Sequence, residues 1–325
     1  MFCRKFSKLA ESNYTKKFCE GLKKMLYNAL MFLSRIVRLL PYDVLLFFGR
    51  ILGNLYYLLI KKQRERAVAQ MMPALKISEE EARKIVRQSF VNLARNVLDI
   101  LYMPNLNEKN LSEYIEIDRL DRMKDALAEG HGVVVLTGHI GTWEWLSAAF
   151  TLNGLPVTAI AKLQPNQEYS RVLDDLRATI NVEIFNRGTS ELLAAGRALK
   201  KGKILGFLAD QDAGPGGAFI NFLNKTASTP MGPAVFAKKF NSPVLPAFII
   251  RQPNGRHLVK IFEVMHFEDT GDTDGDLFRF TEKMTKILES VILANPTQWL
   301  WFQKRWNTPP EMQKIGKHHT VKSVE

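Results

Sequence analysis

The sequence predicts an α/β fold, in which a largely parallel central sheet is flanked by helices and preceded by a membrane-associated helical segment. Three observations support this prediction. After Glu113, apolar β-branched runs alternate with stretches of helical spacing, as in chains built from strand–helix–strand units. Residues 25–60 are densely apolar but interrupted by charged side chains. Between these regions, residues 77–102 have the spacing of an amphipathic helix.

The composition is that of a globular protein: 46% of the 325 residues are hydrophobic and 24% are charged. The formal net charge of +12 favours an anionic partner, such as nucleic acid, acidic lipid headgroups or an acidic carrier protein. No nucleic-acid-binding module is recognisable and the basic residues cluster around apolar segments, so we expect no nucleic acid partner. Cys3 and Cys19 form neither a disulfide framework nor a zinc-ligand spacing, which indicates a reducing compartment.

Residues 1–66 are predicted to form basic, apolar helices that associate with a membrane. Apolar residues recur at helical spacing with basic residues between them, at Leu26, Leu30, Leu33, Ile36, Val37 and Leu40. Uncharged runs are about ten residues long, shorter than the roughly 20 residues of a spanning helix. We therefore expect helices lying in the membrane interface. The alternatives are a soluble helical hairpin that caps the core and a single tilted span through residues 39–60.

Residues 67–112 are predicted to be a helical lead-in that packs on the core. Ser78 precedes three glutamates, which is typical of a capped, acidic first helical turn. An apolar stripe follows, formed by Ile85, Phe90, Leu93, Val97 and Leu101. A stripe at helical spacing is interpreted as a core-facing surface.

Residues 113–310 are predicted to be the α/β domain, and residues 311–325 a flexible basic tail. The predicted strands are 133–139, 156–163, 182–186, 204–210, 243–251 and 257–264. The predicted helices are 142–152, 166–180, 189–200, 232–240 and 276–294. The tail contains His318 and His319, but no neighbouring ligands accompany them, and no metal site is expected.

The first strand ends at a candidate catalytic residue. His139 is the last residue of this predicted strand, at the edge where open α/β sheets bind ligands. Thr142 is expected to be the N-cap of the next helix, and Glu144 lies in its first turn. Glu144 is close enough in sequence to accept a hydrogen bond from the imidazole, which would make His139 an oriented general base. The alternative is a satisfied polar histidine and a glutamate that complements the helix dipole.

Polar residues follow other predicted strands. Arg177 lies on the helix after the second strand, where it either binds phosphate or carboxylate or belongs to a solvated face. Asp210 and Gln211 follow the fourth strand and lead into a glycine-rich turn. Residues 225–233 resemble a small-residue approach to a helix N-terminus, where anions bind readily. No G-x-S-x-G, H-E-x-x-H or phosphate-binding loop motif occurs.

Residues 138–144 resemble the H-x4-(D/E) motif of the glycerolipid and lysophospholipid acyltransferase superfamily. Within it, the chain resembles the bacterial lipid A biosynthesis acyltransferases from about residue 39 to residue 310. Further blocks support this resemblance: Arg177, Gly202-Lys203, residues 209–212, Thr229-Pro230-x-Gly232-Pro233-Ala234, Pro243-Val244-x-Pro246 and Trp301-Phe302-x-x-Arg305-Trp306. Several ordered blocks are more specific than the histidine–glutamate pair alone.

The resemblance implies an O-acyltransferase that moves a fatty acyl chain from a thioester, on acyl carrier protein or coenzyme A, to a hydroxyl of an anionic lipid A precursor. His139 would be the general base and Glu144 would fix it. Arg177 would contact phosphate or the developing oxyanion, while Asp210, Gln211 and Thr142 would line the substrate site. No cofactor or metal is implied. The expected location is the cytoplasmic face of the bacterial inner membrane, with membrane contact through the N-terminus.

Two other functions remain open at this point. One is an acyltransferase for another glycolipid or lysophospholipid, since related families acylate mannosylated phosphoinositides. The other is a non-catalytic, basic membrane-binding protein.

Overall fold

The computed structural model describes residues 13–161, 167–186 and 189–313. Its described α-helices are α1 (Asn13–Val37), α2 (Tyr42–Leu59), α3 (Lys61–Leu75), α4 (Glu79–Tyr102), α5 (Leu111–Tyr114), α6 (Leu120–Ala128), α7 (Trp143–Thr151), α8 (Gln167–Ala178), α9 (Thr189–Lys200), α10 (Gly232–Phe240) and α11 (Thr273–Ala294). Its strands are β1 (Ile115–Asp118), β2 (Val133–Thr137), β3 (Val157–Ala161), β4 (Glu183–Asn186), β5 (Ile204–Leu208), β6 (Ala218–Phe222), β7 (Lys225–Thr229), β8 (Val244–Arg251) and β9 (His257–Ile261). The predicted strand residues 162 and 163, the predicted helix residue Asn166, and the tail from residue 314 with His318 and His319 lie outside the described residues.

A seven-stranded sheet in the order β1-β9-β8-β2-β5-β3-β4 is the centre of the fold. All its neighbouring strands run parallel except β8 and β9, which pair antiparallel. The predicted largely parallel sheet flanked by helices is therefore confirmed. β2 and β5 pair in register from Val133–Ile204 to Thr137–Leu208, so both strands end at the same edge. Polar residues that follow these two strands thus come close together.

Alternating side chains of β2 divide the core into two layers. Val133 and Val135 pack with Trp145 and Phe150 on the side of α7 and α8. Leu136 faces the opposite side, where α9, α10 and α11 cover the sheet. The strand is buried along its whole length, as expected for a parallel strand covered on both faces.

Three short strands were not predicted from the sequence. β1 has only four residues, and β6 and β7 form a separate hairpin. The hairpin turn contains Leu223 and Asn224, both with positive φ, and lacks the Asn-Gly or Asp-Gly pair that marks such turns. The interpretation of residues 225–233 as a small-residue approach to a helix was therefore wrong over residues 225–229, which form β7.

α4 confirms the predicted helix, and most of its predicted core stripe packs inward: Phe90 and Leu101 are buried, and Ile85 packs against the core. Ser78 and Glu81 form a capping box at its start. Val97, which belongs to the predicted core stripe, is 50% exposed, whereas Asp99 is only 1% exposed. Asn96 is also buried. Asn96 and Asp99 can be buried while Val97 faces outward because the two polar side chains find hydrogen-bond partners in the α/β domain.

α2 packs tightly on α4 along one face and exposes apolar residues on the other. A Cβ atom at Gly53 would lie 2.4 Å from the Cα atom of Val91, so the two helices touch through their backbones. The exposed large residues of α2 include Phe47, Phe48, Ile51, Leu52, Leu55, Leu58 and Leu59. In the described part of the chain, α2 and α3 together have the length and apolarity of a membrane span but meet at a 91° bend, and neither these nor any other helix meets both conditions alone.

Candidate active site

The turn after β2 places His139 at the carboxyl edge of the sheet. The backbone N–H of Ile140 donates to the carbonyl of Gly138 at 2.8 Å. Gly141 has a φ of 56°, and a Cβ atom there would lie 1.9 Å from the carbonyl oxygen of Ile249. Only glycine fits so close an approach. The predicted strand extended to residue 139, but β2 ends at residue 137, which allows the His139 side chain to reach the end of β5.

The imidazole of His139 is held by Asp210. Nδ1 of His139 lies 2.7 Å from Oδ1 of Asp210, and the His139 backbone N–H donates to Oδ2 at 2.8 Å. The indole N–H of Trp299 also donates to Oδ2, at 2.8 Å, and Asp210 is fully buried. Because a carboxylate only accepts hydrogen bonds, Nδ1 bears the proton and Nε2 keeps its lone pair. The geometry therefore presents one imidazole tautomer with a basic Nε2.

Nε2 of His139 faces an open polar region. The side-chain amide nitrogen of Gln211 lies 3.4 Å from Nε2, and the Trp143 ring packs 5.0 Å from the imidazole centroid. Beyond Gln211 is an open pocket of about 360 Å³, lined by Gln211, Asp212, Gln303, Lys304 and Asn307. The His139 side chain is 16% exposed, so a hydroxyl can approach its basic nitrogen from this side.

Glu144 does not form the predicted hydrogen bond with His139. In the described part of the chain, its carboxylate accepts two hydrogen bonds from Arg177, at 2.8 Å from Nε and 2.7 Å from Nη2. Arg177 also donates to Asp174 at 3.3 Å. The prediction failed because Asp210 occupies the Nδ1 side of the imidazole, while the first turn of α7 directs Glu144 toward α8. The guanidinium proposed to bind phosphate or an oxyanion is thus paired within the protein.

Charge interactions outweigh burial at the three titratable groups of this site. Burial lowers the pKa of His139, but the charge of Asp210, its hydrogen bond and the charge of Glu144 together raise it above the ordinary 6.5. Burial raises the pKa of Asp210, but His139 and the Trp299 N–H hold it below its ordinary value. Burial also raises the pKa of Glu144, but Arg177 and His139 hold it below its ordinary value. Both carboxylates therefore stabilise an imidazolium at residue 139.

Thr142 occupies the predicted N-cap position of α7, but its side chain has another role. Its side chain makes no N-cap hydrogen bond to α7 and is only 1% exposed, so it does not line a substrate surface. Instead, Oγ1 lies 2.6 Å from Oδ2 of Asp99 and 2.9 Å from Oδ1 of Asn96. Thr142 therefore joins the turn after β2 to the buried polar face of α4.

Sequence reasoning missed the buried groups around Thr142. Asp99 forms an ion pair with Arg251 of β8, and Nε2 of His257 lies 3.3 Å from Oγ1 of Thr142. Burial and the charge of Arg251 hold the pKa of His257 at about 3, so its imidazole is neutral. Polar residues at 92, 96 and 99 recur at helical spacing and so share one face of α4, a pattern that was available to find this cluster.

A cavity of about 60 Å³ lies between the sheet and helices α7 and α8. Its apolar wall is formed by Val135, Leu146, Phe150, Val157, Ala159, Ile184, Ile204, Gly206 and Leu208. Trp143, Glu144 and Arg177 also line it, so its polar end is the Glu144–Arg177 pair beside His139. An apolar cavity with a few convergent polar groups is typical of a small-molecule site.

The aromatic and basic segment 299–306 packs beside the site, where Trp299 contacts Asp210. Trp299 and Trp301 are buried core residues. Arg305 is also buried and donates to the Thr229 hydroxyl at 2.7 Å, and its guanidinium lies 4.5 Å from the centroid of the Phe222 ring. Within the described residues, no group of three histidine, cysteine, aspartate or glutamate side chains is placed to hold a metal ion.

Comparison with known proteins gives matches over most of the chain. The family model described as bacterial lipid A biosynthesis acyltransferase matches residues 15–308. The lipid A biosynthesis lauroyltransferase of Escherichia coli is 25% identical over 280 residues, which cover 84% of this chain and 88% of the relative. The palmitoleoyltransferase of the same organism is 24% identical, with 83% and 87% covered.

A second group of relatives carries a different name. The phosphatidylinositol mannoside acyltransferase of Mycobacterium tuberculosis strain H37Rv is 25% identical over 219 residues, covering 64% of this chain and 66% of the relative. Both groups are acyltransferases. Because the family match extends over nearly the whole described fold and includes His139, Glu144, Arg177 and Asp210, the chain belongs to the bacterial lipid A biosynthesis acyltransferase family and is an acyltransferase.

Proposed function

We propose that this protein transfers a fatty acyl chain from an acyl thioester, on acyl carrier protein or coenzyme A, to a hydroxyl of a lipid A-type glycolipid. One observation above all supports the proposal: Asp210 orients His139 so that its basic Nε2 lies beside Gln211, which lines an open polar pocket, while the Trp143 ring that packs on the imidazole lines an apolar cavity. The names of the lauroyl- and palmitoleoyltransferase relatives support the choice of acceptor.

In the proposed reaction, Nε2 of His139 takes the proton of the acceptor hydroxyl as its oxygen attacks the thioester carbonyl carbon. A tetrahedral oxyanion forms and then collapses with cleavage of the carbon–sulfur bond. The imidazolium returns its proton to the departing thiolate, so the products are an ester and a free thiol. The Gln211 amide, 3.4 Å from Nε2, is placed to donate a hydrogen bond beside the reacting atoms.

The two carboxylates have different roles in this proposal. Asp210 fixes the tautomer and orientation of His139, the role that the sequence suggested for Glu144. Glu144 stabilises the transient imidazolium by its charge alone. Arg177 keeps Glu144 ionised at the end of the apolar cavity through two charge-assisted hydrogen bonds.

The apolar cavity is proposed to receive the start of the acyl chain. Its residues on β2, β3 and β5 alternate along the strands and so share one face of the sheet. The volume of about 60 Å³ is far below the roughly 300–1,000 Å³ of typical ligand pockets. The lining side chains must therefore move apart to admit a long acyl chain, and chain-length selection depends on which of them resist this movement.

The N-terminal helices are proposed to bring the site to the cytoplasmic face of the bacterial inner membrane. The exposed apolar face of α2 is accompanied by exposed basic residues, including Arg50, Lys61 and Lys62. Such a combination binds anionic lipid surfaces. The net charge of +12 also favours the acidic surface of an acyl carrier protein.

A mass-spectrometric transfer assay tests the proposal. Purified protein in detergent receives acyl thioesters of graded chain length on acyl carrier protein or coenzyme A, with a Kdo-bearing tetra-acyl lipid A precursor as acceptor. We expect the acceptor to gain the mass of one acyl chain with wild-type protein and with His266→Ala, which removes an exposed histidine paired with Glu129. His139→Ala is expected to give no transfer while remaining folded.

Three outcomes would count against this assignment. Transfer by His139→Ala at the wild-type rate would exclude His139 as the base. Absence of transfer from every donor, with folded protein, would exclude the lipid A-type acceptor. Transfer only to a mannosylated phosphatidylinositol would favour the second candidate function, which the 25% identity to a phosphatidylinositol mannoside acyltransferase supports.

A further inference from the structure

We propose that the buried hydroxyl of Thr142, held by Asn96 and Asp99 of α4, positions the turn that presents His139 for catalysis. This inference rests on the proposed acyl transfer. It assigns a positioning role to a helix outside the α/β sheet and to residues that do not touch substrate. The contacts that support it run from the turn to α4, then to β8 and finally to the first residue of α2.

The turn is held from both sides at Gly141, two positions after His139. The side-chain amide of Asn96 donates to the Gly141 carbonyl at 2.6 Å. The Gly141 N–H donates to the carbonyl of Gln298 at 3.0 Å. Gln298 is itself fixed, because its side chain exchanges two 2.8 Å hydrogen bonds with the backbone of Arg251. The path of the backbone between His139 and α7 is therefore determined by groups from three separate elements.

Thr142 links this turn to a buried ion pair. Its hydroxyl lies 2.6 Å from Asp99 and accepts from Nη2 of Arg251 at 3.0 Å. Asp99 and Arg251 are 1% and 6% exposed, and Thr142 is 1% exposed. The Tyr42 hydroxyl, at the start of α2, lies 2.8 Å from Asp99 and accepts from Arg251 at 2.9 Å. The hydroxyl of Thr142 thus connects the pair directly to the turn, alongside Asn96, whose side chain accepts from Arg251 and donates to Gly141.

The energetics favour a positional role for this cluster over a stabilising one. Burying two charges costs desolvation that their attraction barely offsets, and apolar replacements of such pairs are often no less stable. The charged and hydroxyl groups instead fix the conformation of the turn, because each hydrogen bond restricts the turn to one geometry. His139 and Glu144 flank Thr142 in sequence, so a shift of the turn would displace both.

Matched substitutions test this inference. Thr142→Val keeps the side-chain shape and removes the hydroxyl, while Thr142→Ser keeps the hydroxyl. Thr158→Val is the control, since Thr158 is fully buried and its hydroxyl donates to the Ile204 carbonyl at 2.7 Å, outside the cluster. Thr142→Ala, which is smaller, replaces the valine variant if the latter does not fold. The quantities measured are kcat, KM for the thioester donor and the midpoint of thermal unfolding.

We expect Thr142→Val to lower kcat by about 10- to 100-fold with KM within about twofold, because small displacements of a catalytic group cost rates of this order. Thr142→Ser should retain kcat within about threefold, and Thr158→Val should leave it unchanged.

Wild-type kcat in Thr142→Val or Thr142→Ala would overturn the inference, as would an equal loss in Thr142→Ser or Thr158→Val. A rise in KM at unchanged kcat would instead mean that Thr142 contacts substrate. Absence of transfer by wild-type protein would contradict the proposed function, a result distinct from all of these.

Discussion

At the scale of single residues, the chemistry of His139 depends on a carboxylate that lies 71 positions away in the sequence. Asp210 receives Nδ1–H and the backbone N–H of the same histidine, so it fixes both the ring and the turn. Glu144, only five positions away, contributes charge without a hydrogen bond to the ring in the described structure. Proximity in sequence was therefore a poor guide to which carboxylate orients the imidazole.

Asp210→Asn is predicted to lower kcat and to shift the pH dependence of activity. The base must be neutral, so kcat/KM should rise with pH through the pKa of His139, which lies above 6.5 in the wild type. Removing the Asp210 charge lowers this pKa, so the acidic limb should move to lower pH. The maximum rate should fall about 10³- to 10⁴-fold, because an amide can hold the wrong imidazole tautomer.

The pH profile of kcat/KM, measured in the transfer assay, checks this prediction. Asp269→Asn is a suitable control, since that aspartate is exposed and pairs with Lys238. An acidic limb that stays at the wild-type pH would show that Asp210 does not set the pKa of His139.

Glu144→Gln is predicted to move the acidic limb in the same direction but by less than Asp210→Asn. Glu144 acts on His139 through charge alone, and its loss leaves Arg177 without its bidentate partner. We expect a loss in kcat/KM of about tenfold or more, in line with an unpaired, largely buried charge. Asp174→Asn, which removes the more exposed partner of Arg177, should have a smaller effect. A larger pH shift in Glu144→Gln than in Asp210→Asn would contradict this division of roles.

At the scale of elements, β5 affects the volume of the apolar cavity, because one of its cavity-facing residues is a glycine. Gly206 lies on its cavity face, and a Cβ atom there would make only ordinary contacts, the nearest at 3.7 Å from the Thr158 carbonyl oxygen. The strand can therefore accept a side chain at this position without backbone strain. The same register that aligns the ends of β2 and β5 also places Gly206 between Val135 and Ala159.

Gly206→Val is predicted to shift the donor preference to shorter acyl chains, because its side chain would fill part of the cavity. The measurement is the rate of transfer across the thioester series at equal concentration. Gly216→Val, at a position where a Cβ atom meets nothing within 4 Å, should keep the wild-type preference. An unchanged preference in Gly206→Val, with folded protein, would show that acyl chains bind elsewhere.

At the scale of the whole molecule, the exposed apolar face of α2 is predicted to dock on an anionic lipid surface. Phe47 and Leu52 are 61% and 47% exposed. Phe47→Glu with Leu52→Glu should abolish co-sedimentation with vesicles of anionic phospholipid, since burial of apolar area drives interfacial binding. Thermal unfolding should change little, because both side chains are exposed.

Leu193→Glu is the control for vesicle binding, since Leu193 is 55% exposed on α9, on the far side of the sheet. It should bind vesicles as the wild type does. Equal binding by the doubly substituted α2 variant would show that this face does not contact the membrane.

The sequence was sufficient for the features that depend on local chemistry. β-branched runs predicted the central strands because those residues fit a pleated sheet buried on both faces. The cap at Ser78 and the long helix after it followed from side-chain oxygens that satisfy free backbone N–H groups. The strand end at His139 was visible because an apolar run stops at a glycine and a histidine. The short strand β1 and the hairpin of β6 and β7 lacked comparable local signals.

The tertiary structure alone decided which side chains meet. Parallel pairing of β2 with β5 brings Asp210 to His139. Because Asp210 occupies the imidazole, Glu144 pairs with Arg177 instead. The rotation of α4 exposes Val97 and buries Asp99 because Arg251 and Thr142, distant in sequence, supply partners for a buried carboxylate. Local propensities act within a few residues, whereas these pairings depend on the register of strands and the packing of helices. The sequence therefore determined most of the elements and the position of His139, and the assembled fold determined which carboxylate orients its imidazole.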